Sequence, residues 1–186
     1  CVLCSAVAEG LVTNSTLKTL YLPGFSRSDP GVFRGPFHGP VWQKMLESNH
    51  SLKRLCFQNY GISLAGFECL GRGLSRNTSL ESLYLNFTGM TEPSLIALVD
   101  GLRTNKTLKC LDLSSAFALS QAGRGAIERL IGYNVLRELI LADTQESVGA
   151  SILASSLADN HSLEKLDLER AFEEDEDTET FRALCE

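Results

Sequence analysis

The chain has 186 residues, 44% of them hydrophobic, and its 17 Lys and Arg against 23 Asp and Glu give a net charge of −6. That length and apolar content suffice for a sizeable core, and the charge favours solubility. No run of 18 apolar residues occurs, which excludes a membrane-spanning helix and leaves no membrane partner to expect.

In chain order, residues 1–13 read as the helix of a truncated first repeat. Cys1 and Cys4 fall on its apolar stripe and no initiator Met precedes them, so the chain reads as a fragment of a longer protein. A phrase follows that recurs six times: a polar exit, usually Asn-x-Ser/Thr, then Leu-x-x-Leu-x-Leu. Its first leucines, Leu17, Leu52, Leu80, Leu108, Leu136 and Leu163, lie 35, 28, 28, 28 and 27 residues apart. Such a period marks a solenoid.

Within each period the leucine phrase alternates as a strand does, and the next dozen residues change to helical spacing. Leu64, Phe67, Leu70 and Leu74 form one apolar stripe; Leu95, Leu98 and Leu102 form the next, and Ala150, Leu153 and Leu157 the last. Strands joined through helices run parallel. The fold expected over residues 1–186 is therefore a single α/β solenoid of about six repeats, with a curved parallel sheet on the concave side and helices on the convex side.

The Asn before each strand sits where a helix must stop, and a left-handed conformation is expected there. The fifth copy has Tyr133 at that position, flanked by Gly132 and Asn134 that serve the same turn. Six Asn-x-Ser/Thr triplets occur, at Asn14, Asn49, Asn77, Asn86, Asn105 and Asn160, and all but Asn86 coincide with the repeat position. A structural role is thus preferred over glycosylation.

The phrase and its period resemble the ribonuclease-inhibitor-like class of leucine-rich repeat proteins over residues 1–170. That resemblance implies intracellular recognition domains such as those of NLR receptors, and also the Ran GTPase-activating proteins. The expected function is a module that binds a partner protein through the concave face; the alternatives are a GTPase activator resembling the Ran-directed family, with a small GTPase as partner, and an architectural spacer. Where the class favours Asn, Cys or Thr after the strand, this chain has Tyr60, Thr88, Ala116 and Thr144, so no asparagine ladder is expected.

The first repeat carries an insertion, residues 23–40, that holds four of the chain's five prolines and excludes regular structure throughout. Two readings stand: a projecting contact loop using Phe33, Arg34 and Phe37, or a self-packed excursion whose phenylalanines cover the neighbouring repeat. At the other end, residues 169–179 are acidic, with Glu173 to Asp177 unbroken. This is read first as the loop of a truncated next repeat. Ran GTPase-activating proteins, as a family, also place an acidic region after their repeats.

Side chains between the strand leucines line the concave face and form columns. One column is Tyr21, Cys56, Tyr84, Asp112, Ile140 and Asp167, and its neighbours contain Arg54 and Arg137. Tyr and Arg are enriched at interface hot spots, so Tyr21, Arg54, Cys56, Tyr84, Asp112, Arg137 and Asp167 are the candidate partner-binding set. Acidic residues mix with basic ones along these columns, which speaks against nucleic acid.

No catalytic constellation is apparent, and no enzymatic activity or cofactor is expected. His50 and His161 lie about four strand spacings apart, and no phosphate-binding loop occurs. Cys1-x-x-Cys4 lacks the second half of a zinc site. Cys56 and Cys110 fall in different columns two strands apart, beyond disulfide reach, so reduced thiols and a cytoplasmic location are expected.

Overall fold

A computed structural model of the chain describes residues 2–22, 24, 37–115, 120–143 and 150–169. Helix and strand alternate throughout: α1 (Val2–Thr13), β1 (Thr19–Tyr21), α2 (Gly39–Ser48), β2 (Arg54–Cys56), α3 (Leu64–Arg76), β3 (Ser82–Tyr84), α4 (Glu92–Leu102), β4 (Cys110–Asp112), α5 (Gln121–Gly132), β5 (Glu138–Ile140), α6 (Ala150–Ala158) and β6 (Lys165–Asp167). The six strands form one open sheet in sequence order, every neighbouring pair parallel. The middle leucines pair in register, Leu20 to Leu55, Leu83, Leu111, Leu139 and Leu166.

The sheet is parallel because every return passes through a helix, and the helices pack side by side over one of its faces. Leu55, Leu83, Leu111 and Leu139 point into that layer and are at most 1% exposed. They meet Met45 and Leu46 of α2, Phe67, Leu70 and Leu74 of α3, Leu95 and Leu98 of α4, and Ile127 and Leu130 of α5, all within one core. Two expected stripe residues depart from this. Leu64 opens α3 at 42% exposure, and Leu157 lies in the last turn of α6 at 37%, where no described helix packs beyond it.

The helix-to-strand turns are built differently from expectation. Asn49 and Asn77 are extended, at φ −84° and −72°, so the backbone needs no left-handed residue there. Their side chains supply the turn instead. Asn77 Oδ1 accepts from the amides of Ser79 at 3.0 Å and Leu80 at 2.7 Å, while Nδ2 donates to the Leu46 carbonyl at 2.6 Å. Asn49 donates likewise to Leu11, Asn105 to Leu74 and Asn160 to Ile131, each at 2.7 Å.

Those carbonyls belong to the helix of the preceding repeat near its C-terminus, where intrahelical donors run out, although Leu74 and Ile131 also accept from the amides of Asn77 and Asn134, both at 3.2 Å. A row of asparagines thus links the repeats before the strands, while after them Tyr60 and Thr88 stand in place of asparagine as expected, and Ala116 and Thr144 lie outside the described residues. With Asn49, Asn77 and Asn105 at 2%, 5% and 3% exposure and their amide nitrogens committed, their role is structural. Only the fifth turn uses a left-handed residue, Asn134 at φ 53°, whose Oδ1 accepts from the His161 amide at 2.8 Å.

Left-handed residues otherwise follow the strands. Asn59, Phe87, Ser115 and Asp143, at φ 54° to 58°, each stand two positions past the last apolar residue of the strand phrase. Their amides carry the interstrand ladder beyond the strands, as Asn59 to Asn86 at 3.1 Å and Ser115 to Ala142 at 2.8 Å.

Candidate functional site

The face of the sheet turned away from the helices carries the side chains between the leucines. Strand register confirms the expected columns: Thr19, Arg54, Ser82, Cys110, Glu138 and Lys165 stand in one, and Tyr21, Cys56, Tyr84, Asp112, Ile140 and Asp167 in another. Neighbouring strands lie about 4.8 Å apart, so side chains within a column touch or nearly touch.

Much of the charge on this face is internally matched. Lys53 Nζ meets Glu81 at 2.7 Å, Arg137 meets Glu164 at 3.4 Å, and Lys165 Nζ meets Glu138 at 2.6 Å, each bridging adjacent strands. Lys109 Nζ donates to the carbonyls of Lys106 and Val135, both at 3.3 Å. Asp112 accepts from the Ser114 hydroxyl at 2.6 Å and amide at 2.9 Å, and Asp167 from the Glu169 amide at 3.1 Å. Lys18 and Arg54 are the exceptions, with neither an ion pair nor a side-chain hydrogen bond among the described residues.

These contacts set the protonation of the face. The hydrogen bond from Lys165 holds the Glu138 carboxyl below its ordinary value, and Glu138 in turn raises the Lys165 ammonium. Burial pushes the Tyr84 hydroxyl up to about 12 and the Cys110 thiol to about 11. The two groups sit 3.7 Å apart. Burial also raises the Cys56 thiol. Both sulfurs therefore stay protonated at neutral pH and are weak nucleophiles.

Exposure sorts the candidate residues. Tyr21 is 64% exposed, Arg54 and Arg137 are exposed, and Tyr84, Asp112 and Asp167 are half-buried. Cys56 is only 9% exposed between its neighbours, which corrects its placement among accessible contacts; a short side chain between flanking strands is shielded by what surrounds it.

Phe33 and Arg34 of the insertion lie outside the described residues. Phe37 is described, and it is no projecting contact: it is 8% exposed, stacked on Trp42 at 6.1 Å and set edge-on to Phe57 at 5.5 Å. Apolar burial beside three aromatic rings outweighs exposure for such a side chain. At that one residue the self-packed reading of the insertion holds.

Phe87 is the residue that sequence reasoning passed over. It sits just past β3 at 52% exposure, in the left-handed conformation that Asn59, Ser115 and Asp143 occupy with small polar side chains. Aligning the repeats makes the anomaly visible: an aromatic ring stands where the other copies carry Gly24, Asn59, Ser115, Asp143 and Arg170.

The expected separation of cysteines holds, since Cys4, Cys56, Cys69 and Cys110 are all free and buried. No helix among the described residues is long and apolar enough to cross a membrane. No protein-family model matches the chain, and no curated protein compared with it is similar in sequence.

Proposed function

We propose that this chain is a protein-docking module, a leucine-rich repeat solenoid of the ribonuclease-inhibitor-like kind that binds a partner protein across its concave sheet and has no catalysis of its own. The observation that carries this reading is a parallel sheet six strands wide, one face of which no described helix covers, presenting Tyr21, Arg54, Tyr84 and Arg137 on the side away from the helices. Solenoids characteristically use such extended surfaces for binding, and large amphipathic side chains on a rigid sheet lose little entropy when they engage.

The test is affinity capture from cytosol with mass spectrometry. The intact chain is compared with a Tyr21→Ala/Tyr84→Ala/Asp112→Ala variant whose fold is verified by Trp42 fluorescence. The reading requires at least one protein retained by the first and lost by the second. Identical capture by both, or specific capture by neither, overturns it.

A further inference from the structure

Resting on that docking reading, we infer that the β1–β3 end of the open face takes an acidic, partly apolar segment of a partner protein. Its anchors are Lys18, Arg54, Tyr21 and Phe87.

Internal pairing leaves different charges at the two ends of the face. Across β4 to β6, Arg137 is matched by Glu164 and Lys165 by Glu138 on neighbouring strands, and among the described residues the carboxylates Asp112 and Asp167 remain against the one cation Lys109, which donates only to carbonyls. Across β1 and β2, Glu81 matches Lys53, while Lys18 and Arg54 have no counter-ion among the described residues. The face is thus polarised, positive at β1–β2 and negative toward β6, on a chain whose net charge is −6. An acidic partner is repelled by the molecule as a whole and attracted to this one corner, which fixes its register as well as its position.

A second observation comes from the backbone. Holding an aromatic residue at φ 58° costs stability that Asn or Gly at the same place would not, yet Phe87 offers its ring 52% exposed rather than burying it in the core. Tyr21 is exposed on the same side of the molecule as Arg54, its diagonal neighbour on the next strand. Two exposed aromatics and two unmatched cations spread over the first three repeats suit an extended segment that alternates carboxylates with apolar side chains.

A displayed library of random peptides, selected in parallel on the intact chain, on Lys18→Glu/Arg54→Glu and on Asp112→Asn/Asp167→Asn, reads this directly. The intact chain and the Asp→Asn variant should both enrich peptides that combine Asp or Glu with Leu, Ile or Phe. The charge-reversed variant should lose them by roughly tenfold or more. Phe87→Asn should bind the same peptides several-fold more weakly while being the more stable protein, a combination that a purely structural Phe87 does not give.

Acidic peptides enriched equally by the charge-reversed variant overturn the inference. Basic peptides lost only on Asp112→Asn/Asp167→Asn also overturn it, and leave the docking reading standing. Enrichment insensitive to every substitution on this face, or none at all, removes both.

Discussion

Asn49, Asn77 and Asn105 bind each repeat to the one before it. Each uses one side-chain oxygen to close its own turn and one nitrogen to satisfy a helix carbonyl of the preceding repeat. Removing such a group strands several buried peptide groups at once, so Asn77→Ala is expected to cost about 2–4 kcal/mol in denaturant unfolding. Asn14 is exposed and closes only its own turn, so Asn14→Ala should cost about 1 kcal/mol or less. Equal losses at the two positions would show that the link between repeats contributes nothing. At Phe87 the sign reverses: Phe87→Asn should raise stability by about 1 kcal/mol, because it relieves a left-handed aromatic.

Thiol chemistry offers a pH readout among the same residues. The Cys110 thiol is raised from 9.0 to about 11 by burial, so its protonated form persists through the range in which ordinary thiols ionise. Iodoacetamide followed by peptide mass spectrometry should find it reacting roughly a hundredfold more slowly than a free thiol at pH 8. Its rate should climb as pH approaches 11. Ordinary reactivity at pH 8 would contradict the burial.

The asparagines were legible in the sequence by position but not by mechanism. A spacing reveals that a turn recurs; it does not reveal whether the backbone or the side chain makes it. Phe87 was equally present in the aligned repeats, but only its dihedral angle and exposure mark it as costly.

Neighbouring helices approach closely where glycines remove side chains. A Cβ on Gly71 of α3 would lie 2.7 Å from the Ala97 carbonyl oxygen of α4, and one on Gly101 would run into the backbone of Gly71. Gly71→Ala should therefore destabilise by about 1–3 kcal/mol. Gly10→Ala in α1, with nothing within 4 Å of the added carbon, should instead stabilise by about 0.5–1 kcal/mol through helix propensity. Thermal unfolding of the two variants checks the contrast, and parallel shifts would refute the packing account.

Adjacent helices are also joined by charge. Glu92 at the start of α4 accepts from the amides of Ser120 at 3.1 Å and Gly123 at 3.2 Å, at the N-terminus of α5. Ser120 and those amides hold its carboxyl below the ordinary value, as an anion at a helix N-terminus requires. Helical periodicity announced the helices themselves and most of their buried stripes. Which glycine meets which backbone was not readable, because a period fixes the face of a helix and not its distance from the next.

Across the whole molecule, recurrence did the predicting. Six copies at a near-constant period fix strand order, parallel pairing and the columns of the open face, and the structure bears out the order, the pairing and the two columns that run through the strands. What recurrence cannot supply lies where copies differ. The burial of Phe37 depends on Trp42, Phe57 and Tyr60 converging from separate segments, and the matching of charges across strands depends on side-chain reach. The unmatched cations at one end emerge only after that subtraction.

In a docking module of this kind the open sheet face, rather than the helix layer, meets the partner protein. A photo-reactive benzoylphenylalanine placed at position 21, where the native side chain is 64% exposed, and in a second variant at position 76, where the Arg76 side chain is 73% exposed on α3, separates the two surfaces. Irradiation in cytosol should give a discrete protein adduct from position 21 that excess unlabelled chain suppresses, with none from position 76. Adducts confined to position 76, or equal at both, would contradict the account.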